Sequence, residues 1–119
     1  MAKAVGFGGV FLKAQDPKAL SEWYAKHFGI TKLDPSTSMF EGPESMGMTV
    51  FAHFPEATKK FAGPQQAMIN FRVDDLDELL KQLAEAGVKI DPERDDADYG
   101  KFAWVWDPEG NRVELWQAM

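Results

Sequence analysis

The sequence predicts an α+β fold of two tandem βαβββ modules, and three observations lead to it. One pattern of elements occurs twice, displaced by 59 residues at Asp16/Asp75 and by 57 at Pro35/Pro92, about half of a 119-residue chain. Each copy opens with an apolar strand that runs into an aspartate-capped amphipathic helix. Each helix ends at a glycine and is followed by three short strand-like segments. Strands this short are not stable singly, so two copies pairing their sheets would bury both apolar faces and enclose a cleft. On this reading residues 1–119 are one domain, with an N-terminal module over 1–56 and a C-terminal module over 66–119.

Residues 5–14, VGFGGVFLKA, are apolar, glycine-punctuated and rich in β-branched and aromatic side chains, which reads as a strand. Asp16 is a good N-cap and Pro17 suits the first helical position. The helix runs through KALSEWYAKHF to Gly29, with Leu20, Tyr24 and Phe28 on one face. ITKL, a piece near Ser38–Glu41 and MTVFAHF are the following strands. The connection, PEATKKFAGPQQ at 55–66, is polar and bounded by proline. In the second copy MINFRV is a strand and Asp74 or Asp75 caps a helix. Leu76, Leu79, Leu80 and Leu83 fall at i, i+3, i+4 and i+7, and Gly87 ends the helix. VKI, KFAWVW and RVELWQ complete the copy around the turn DPEGN. The stretch DPERDDADYG, 91–100, reads as a long acidic loop, either a mobile lid or a solvated excursion.

Composition narrows the function. Hydrophobic residues make up 45% and charged residues 27%, ordinary for a globular chain. A net charge of −6 without any basic run argues against nucleic acid, which needs a clustered cationic face, and against a basic membrane-surface helix. No apolar run approaches the ~20 residues that span a bilayer, and the N-terminus is a poor signal peptide, so a cytoplasmic protein is expected. With no cysteine, thiolate metal sites and cysteine nucleophiles are excluded. The serines stand in no motif with histidine, and GFGG at 6–9 is not followed by the helix a nucleotide loop requires.

The segment FAWVWDPEGNRVEL (102–115), together with VFLKAQDPKALSEWYAKHFGI (10–30) and INFRVDDLDELLKQLAEAGV (69–88), resembles the vicinal oxygen chelate superfamily of glyoxalase and bleomycin-resistance-like proteins. The resemblance covers nearly the whole chain. It implies a divalent metal held by four side chains, His, Gln or Glu, one from each of four strands, chelating two neighbouring oxygens of a substrate. Those positions fall on Gly9, on Met68, near Val50–Ala52 and on Glu114. Only Glu114 matches, because glycine has no donor and a thioether binds hard divalent ions poorly. His53, one or two residues from the fourth-strand position, could join Glu114 as a metal ligand after a register shift. The favoured reading is a strand-end histidine hydrogen-bonded near the surface, since two ligands are too few. No cofactor is expected, a divalent metal being the alternative.

Strand alternation then names the residues that share a face with those positions. They are Phe7, Phe11 and Lys13 on the first strand, Asn70 and Arg72 beside Met68, and Arg112 and Trp116 beside Glu114; the hairpin register that the resemblance implies adds Phe102, Trp104 and Trp106 on the aromatic strand. Large aromatics mixed with a few charges suit a small-molecule cleft. The ordinary alternatives are that Trp104 and Trp106 are core or dimer-interface residues and that Arg112 is solvated. Glu114 is either a salt-bridge partner of Lys13 or Arg72, the favoured reading, or a general base.

The ligand expected is a planar or aromatic compound with an anionic group, stacked on tryptophan and oriented by an arginine. The leading function is thus metal-independent binding of an organic small molecule by a homodimer, as the bleomycin-resistance branch implies. The alternatives are a lyase, isomerase or dioxygenase of the glyoxalase type using Glu114 and His53, and an interaction module whose cleft is filled by its own side chains.

Overall fold

A computed structural model describes residues 1–28, 30–40 and 49–119. The fold is α+β, with eight strands and two helices: β1 (Ala4–Ala14), α1 (Pro17–Phe28), β2 (Thr31–Asp34), β3 (Thr37–Phe40), β4 (Thr49–Pro55), β5 (Ala67–Val73), α2 (Leu76–Glu85), β6 (Ile90–Ala97), β7 (Gly100–Trp106) and β8 (Arg112–Ala118). Gly29 and Glu41, expected at a helix end and in the third strand, lie outside the described residues. The chain divides into two compact units, one of residues 9–67 and one of residues 1–8 with 68–119.

The 9–67 unit orders its strands β2-β3-β4-β1. β1 and β4 run parallel, with Gly9 opposite Val50 and Phe11 opposite Ala52, and the other pairs are antiparallel. Asp16 caps α1 by accepting a hydrogen bond from the Ala19 N–H (3.0 Å), satisfying a donor that the first helical turn leaves open.

The other unit orders its strands β1-β5-β8-β7-β6. β5 and β8 are parallel, so in each unit the first and last strands of a βαβββ pattern pair the same way. Asp75 caps α2 through the Glu78 N–H (3.1 Å). At its far end Gly87 takes a left-handed φ of 82°, its N–H bonding the Ala84 carbonyl and the Val88 N–H the Leu83 carbonyl, which closes the last turn. Leu76 is fully buried against Val73, Ala103, Val105 and Leu115. Residues ahead of β1 are tied down as well: the Gln82 amide bonds both the N–H and the carbonyl of Ala2, and Asp74 accepts from the Lys3 N–H.

The acidic stretch 91–100 is mostly strand, not a lid or a solvated loop. β6 pairs antiparallel with β7, with an irregularity between Ile90 and Arg94. Its charges are answered locally: Asp91 and Glu93 bind Arg112, and Arg94 binds Asp96 and Asp77. A charged strand at a sheet edge resists edge-to-edge pairing, which explains a composition that resembles a loop.

Candidate functional site: a polar and aromatic face

The residues expected on β5, β7 and β8 do assemble, on the face of their sheet turned away from α2. Pairing arranges them in rows across three strands. Asn70, Glu114 and Trp104 are mutually opposite in one row, and Arg72, Trp116 and Phe102 in the next. Trp106 and Arg112 are opposite each other beyond them. Alternate residues Phe71, Val73, Leu115, Val105 and Ala103 face the α2 core instead.

Glu114 is 8% exposed and Asn70 1%, and the Asn70 Nδ2 donates to Glu114 Oε2 at 2.5 Å. That fixes the amide: with its nitrogen on the carboxylate, the Asn70 Oδ1 points the other way, buried and with no partner among the described residues. The Trp116 Nε1–H is in the same condition. Both sit against glycines. A Cβ on Gly8 would lie 1.9 Å from Asn70 Oδ1, and one on Gly100 2.4 Å from Trp116 Nε1, so only glycine leaves room beside either group. Phe102 stacks on Trp116 at 6.0 Å, nearly parallel.

Arg112 is buried at 4% exposure, contrary to the expectation of a solvated arginine. Its guanidinium lies 4.8 Å over the Trp104 ring and pairs with Glu93 (2.8 Å) and Asp91 (3.3 Å). Sequence alone does not signal this pairing, because the acidic partner strand β6 resembles a loop. Phe7 also departs from its expected face: it stacks on Phe71 (5.3 Å), which packs against the α2 core, whereas Gly6 and Gly8 face Arg72 and Asn70.

In the 9–67 unit, Phe11 is buried and packs on Phe54 (5.4 Å), which packs on Phe61. Lys13 donates to the Gly63 carbonyl and lies 5.6 Å from the Phe61 ring centre. Gly9 is pressed on backbone: a Cβ there would meet the Val50 carbonyl oxygen at 2.2 Å. His53 is buried, not at the surface. It turns toward α1, its Nδ1 2.7 Å from the Ser21 Oγ and its ring stacked on Tyr24. Burial pushes its pKa below the usual histidine value.

Register also fixes the fourth-strand position that spacing left between Val50 and Ala52. Phe11 faces Ala52 across β1 and β4 as Asn70 faces Glu114 across β5 and β8, so Ala52 is the counterpart of Glu114. The four positions are then Gly9, Ala52, Met68 and Glu114: one carboxylate, one thioether, a methyl group and a hydrogen. Among the described residues no three His, Cys, Asp or Glu side chains converge as a metal requires. This donor set does not fit a catalytic divalent ion.

Comparison with known proteins agrees with the architecture. The chain is similar in fold to methylmalonyl-CoA epimerase from Mycobacterium tuberculosis, at 16% identity and a TM-score of 0.70 over 98% of this chain and 89% of that one. A Streptomyces coelicolor methylmalonyl-CoA epimerase variant in complex with 2-nitronate-propionyl-CoA is similar at 14% identity and a TM-score of 0.75, over 98% and 99%. A superfamily member from Vibrio splendidus 12B01 reaches 13% and 0.60, over 98% and 99%. No curated protein matches the sequence at a significant level. No helix among the described residues is long and apolar enough to cross a membrane. A sequence model of one family matches residues 6–115, nearly the whole chain, and the chain therefore belongs to the Glyoxalase/Bleomycin resistance protein/Dioxygenase superfamily.

Proposed function

We propose that this protein binds an organic small molecule on the face formed by Asn70, Arg72, Phe102, Trp104, Trp106 and Trp116, without a resident metal. The observation that carries the reading is the pair of buried polar atoms on adjacent rows of that face. Asn70 Oδ1 is an acceptor and Trp116 Nε1–H a donor, and neither has a partner among the described residues. Leaving such groups unsatisfied costs about 1–3 kcal/mol each, a penalty that a ligand with a matching donor and acceptor would relieve. Half-buried Phe102 and Trp106 offer stacking surface, and Arg72 supplies positive charge. The ligand class that fits is a planar aromatic with an anionic group. Glu114, bonded by the Asn70 amide, orients Asn70 rather than a metal.

Thermal stability tests this with 1-naphthoate as probe and naphthalene as its uncharged control. Naphthoate at 100 times its dissociation constant should add about 2.7 kcal/mol. Trp116→Phe, which keeps an aromatic side chain but replaces the indole by a smaller ring without an N–H, should weaken it at least about tenfold, the worth of one hydrogen bond. Incubation with Ni²⁺, Zn²⁺, Mn²⁺ or Fe²⁺ supplies the opposing result. Stoichiometric metal that survives desalting and vanishes in Glu114→Ala would replace this reading with metal-dependent catalysis.

A further inference from the structure

On the opposite face of the same sheet, α2 does not close the apolar surface beneath it. Leu79 and Leu83 of α2, with Phe71, Val105, Val113 and Leu115 of the strands, line a hollow of about 680 Å³ open to solvent. Phe71, Leu79, Leu83 and Val113 are only half-buried there, so apolar area that burial would stabilise by roughly 25 cal/mol per Å² stays wet. The volume lies within the roughly 300–1,000 Å³ usual for small-molecule sites.

Two charged residues stand at its mouth, and they differ. The Asp107 carboxylate stays ionised and is engaged within its own turn: it accepts from the Asn111 amide and from the Asn111 and Glu109 N–H groups, which hold its pKa below the ordinary carboxylate value. The Lys89 ammonium is held 4.8 Å from the Trp106 ring centre and has no carboxylate partner among the described residues. A hydrocarbon-lined hollow calls for an apolar body, and one unanswered cation at the rim calls for one negative charge. We infer that this hollow is a second ligand site, taking a small amphiphile with an apolar body and a carboxylate head. It uses the α2 side of the sheet, and Trp106, which lines its edge, is the residue it shares with the face proposed above.

The test uses the full chain with decanoate and decanol, followed by tryptophan fluorescence and two-dimensional NMR. Decanoate should bind saturably at one equivalent, shifting resonances of Leu79, Leu83 and Val113. Lys89→Glu, an exposed change that spares the fold, should weaken decanoate about tenfold and decanol less than twofold. Val113→Trp, which fills the hollow, should abolish both while the circular dichroism stays native. Trp116→Phe should leave both unchanged, which separates this site from the one proposed above. The inference fails if decanoate does not saturate, if Lys89→Glu leaves its affinity intact, or if Trp116→Phe removes the binding. It fails equally if the chain self-associates through this hollow, shown by a concentration-dependent mass that Lys89→Glu leaves and a Leu83→Gln variant abolishes.

Discussion

The two units are built on one plan but spend their interiors differently. In the unit containing α2, the strand surface against the helix is aliphatic: Val73, Leu115, Val105 and Leu76 close on one another, and the polar residues lie on the far face. In the unit containing α1 several matching positions carry the other kind of side chain. The 59-residue offset matches Ser21 to Leu80 and Tyr24 to Leu83, and the strand register matches His53 to Leu115. Polar side chains therefore sit beneath α1 where leucines sit beneath α2. On the other face, Phe11 and Ala52 stand where Asn70 and Glu114 form their hydrogen bond. The two copies share their backbone pairing but differ at these positions in which face carries the polar groups. Pairing geometry survives such exchange because a parallel ladder depends on the main chain, whereas each face depends only on side chains.

The sharpest way to break this comparison is at Gly9, whose counterpart Met68 carries a large buried side chain. Gly9→Ala drives a methyl group into the Val50 carbonyl, a backbone atom that cannot move alone, and should cost about 3 kcal/mol in urea denaturation. A loss under about 0.5 kcal/mol would show that β1 and β4 are not in the register described.

Next comes Asn70. Asn70→Ala removes a donor from buried Glu114 and should destabilise by about 2 kcal/mol. The double change Asn70→Phe with Glu114→Ala installs the other unit's pair. It should recover much of that loss while abolishing naphthoate binding. If the single change costs nothing, the pair does not hold that face together.

His53 offers a smaller, pH-dependent effect. Its folded pKa lies below the unfolded value of about 6.5, so the fold prefers the neutral ring. Stability should be fully present above that value and decline as the pH falls below it, because the unfolded chain takes up the proton first. His53→Leu, copying Leu115, should flatten the stability profile between pH 7 and 5 and shift stability at pH 7 by about 1 kcal/mol. An unchanged slope would place the titrating group elsewhere. The smallest effect belongs to Arg94→Ala on the β6 edge, whose pairs with Asp77 and Asp96 are exposed. It should cost less than about 1 kcal/mol by thermal unfolding, and less still in high salt.

Particular residues explain how far the sequence could be read. Both helices were legible because their signals are local: Asp16 and Asp75 cap them, and four leucines mark one stripe on α2. The face carrying Asn70, Glu114 and Trp104 was legible because β5, β7 and β8 alternate cleanly between apolar and polar or aromatic side chains. Phe7 was misplaced because the glycines around it carry no side chains from which to read alternation. β6 was misread because charge at an edge strand resembles charge in a loop until its partner Arg112 is known. The direction of His53 was hidden for a different reason: MTVFAHF is apolar or aromatic on both faces, so composition could not say which one meets α1. The Asn70–Glu114 bond was not predicted because it depends on register between strands 44 residues apart.

Division of labour within β1 has a consequence for dissecting the protein. Its first five residues, Ala4–Gly8, belong with the distant C-terminal sequence, and its last six with the N-terminal half. Cutting the polypeptide in the connection at 55–66 therefore does not yield two self-sufficient pieces. The C-terminal fragment would lose the segment that borders β5, leaving a row of amide and carbonyl groups bare and prone to recruit any available chain. Separately expressed halves should accordingly be poorly soluble alone and recover order only when mixed.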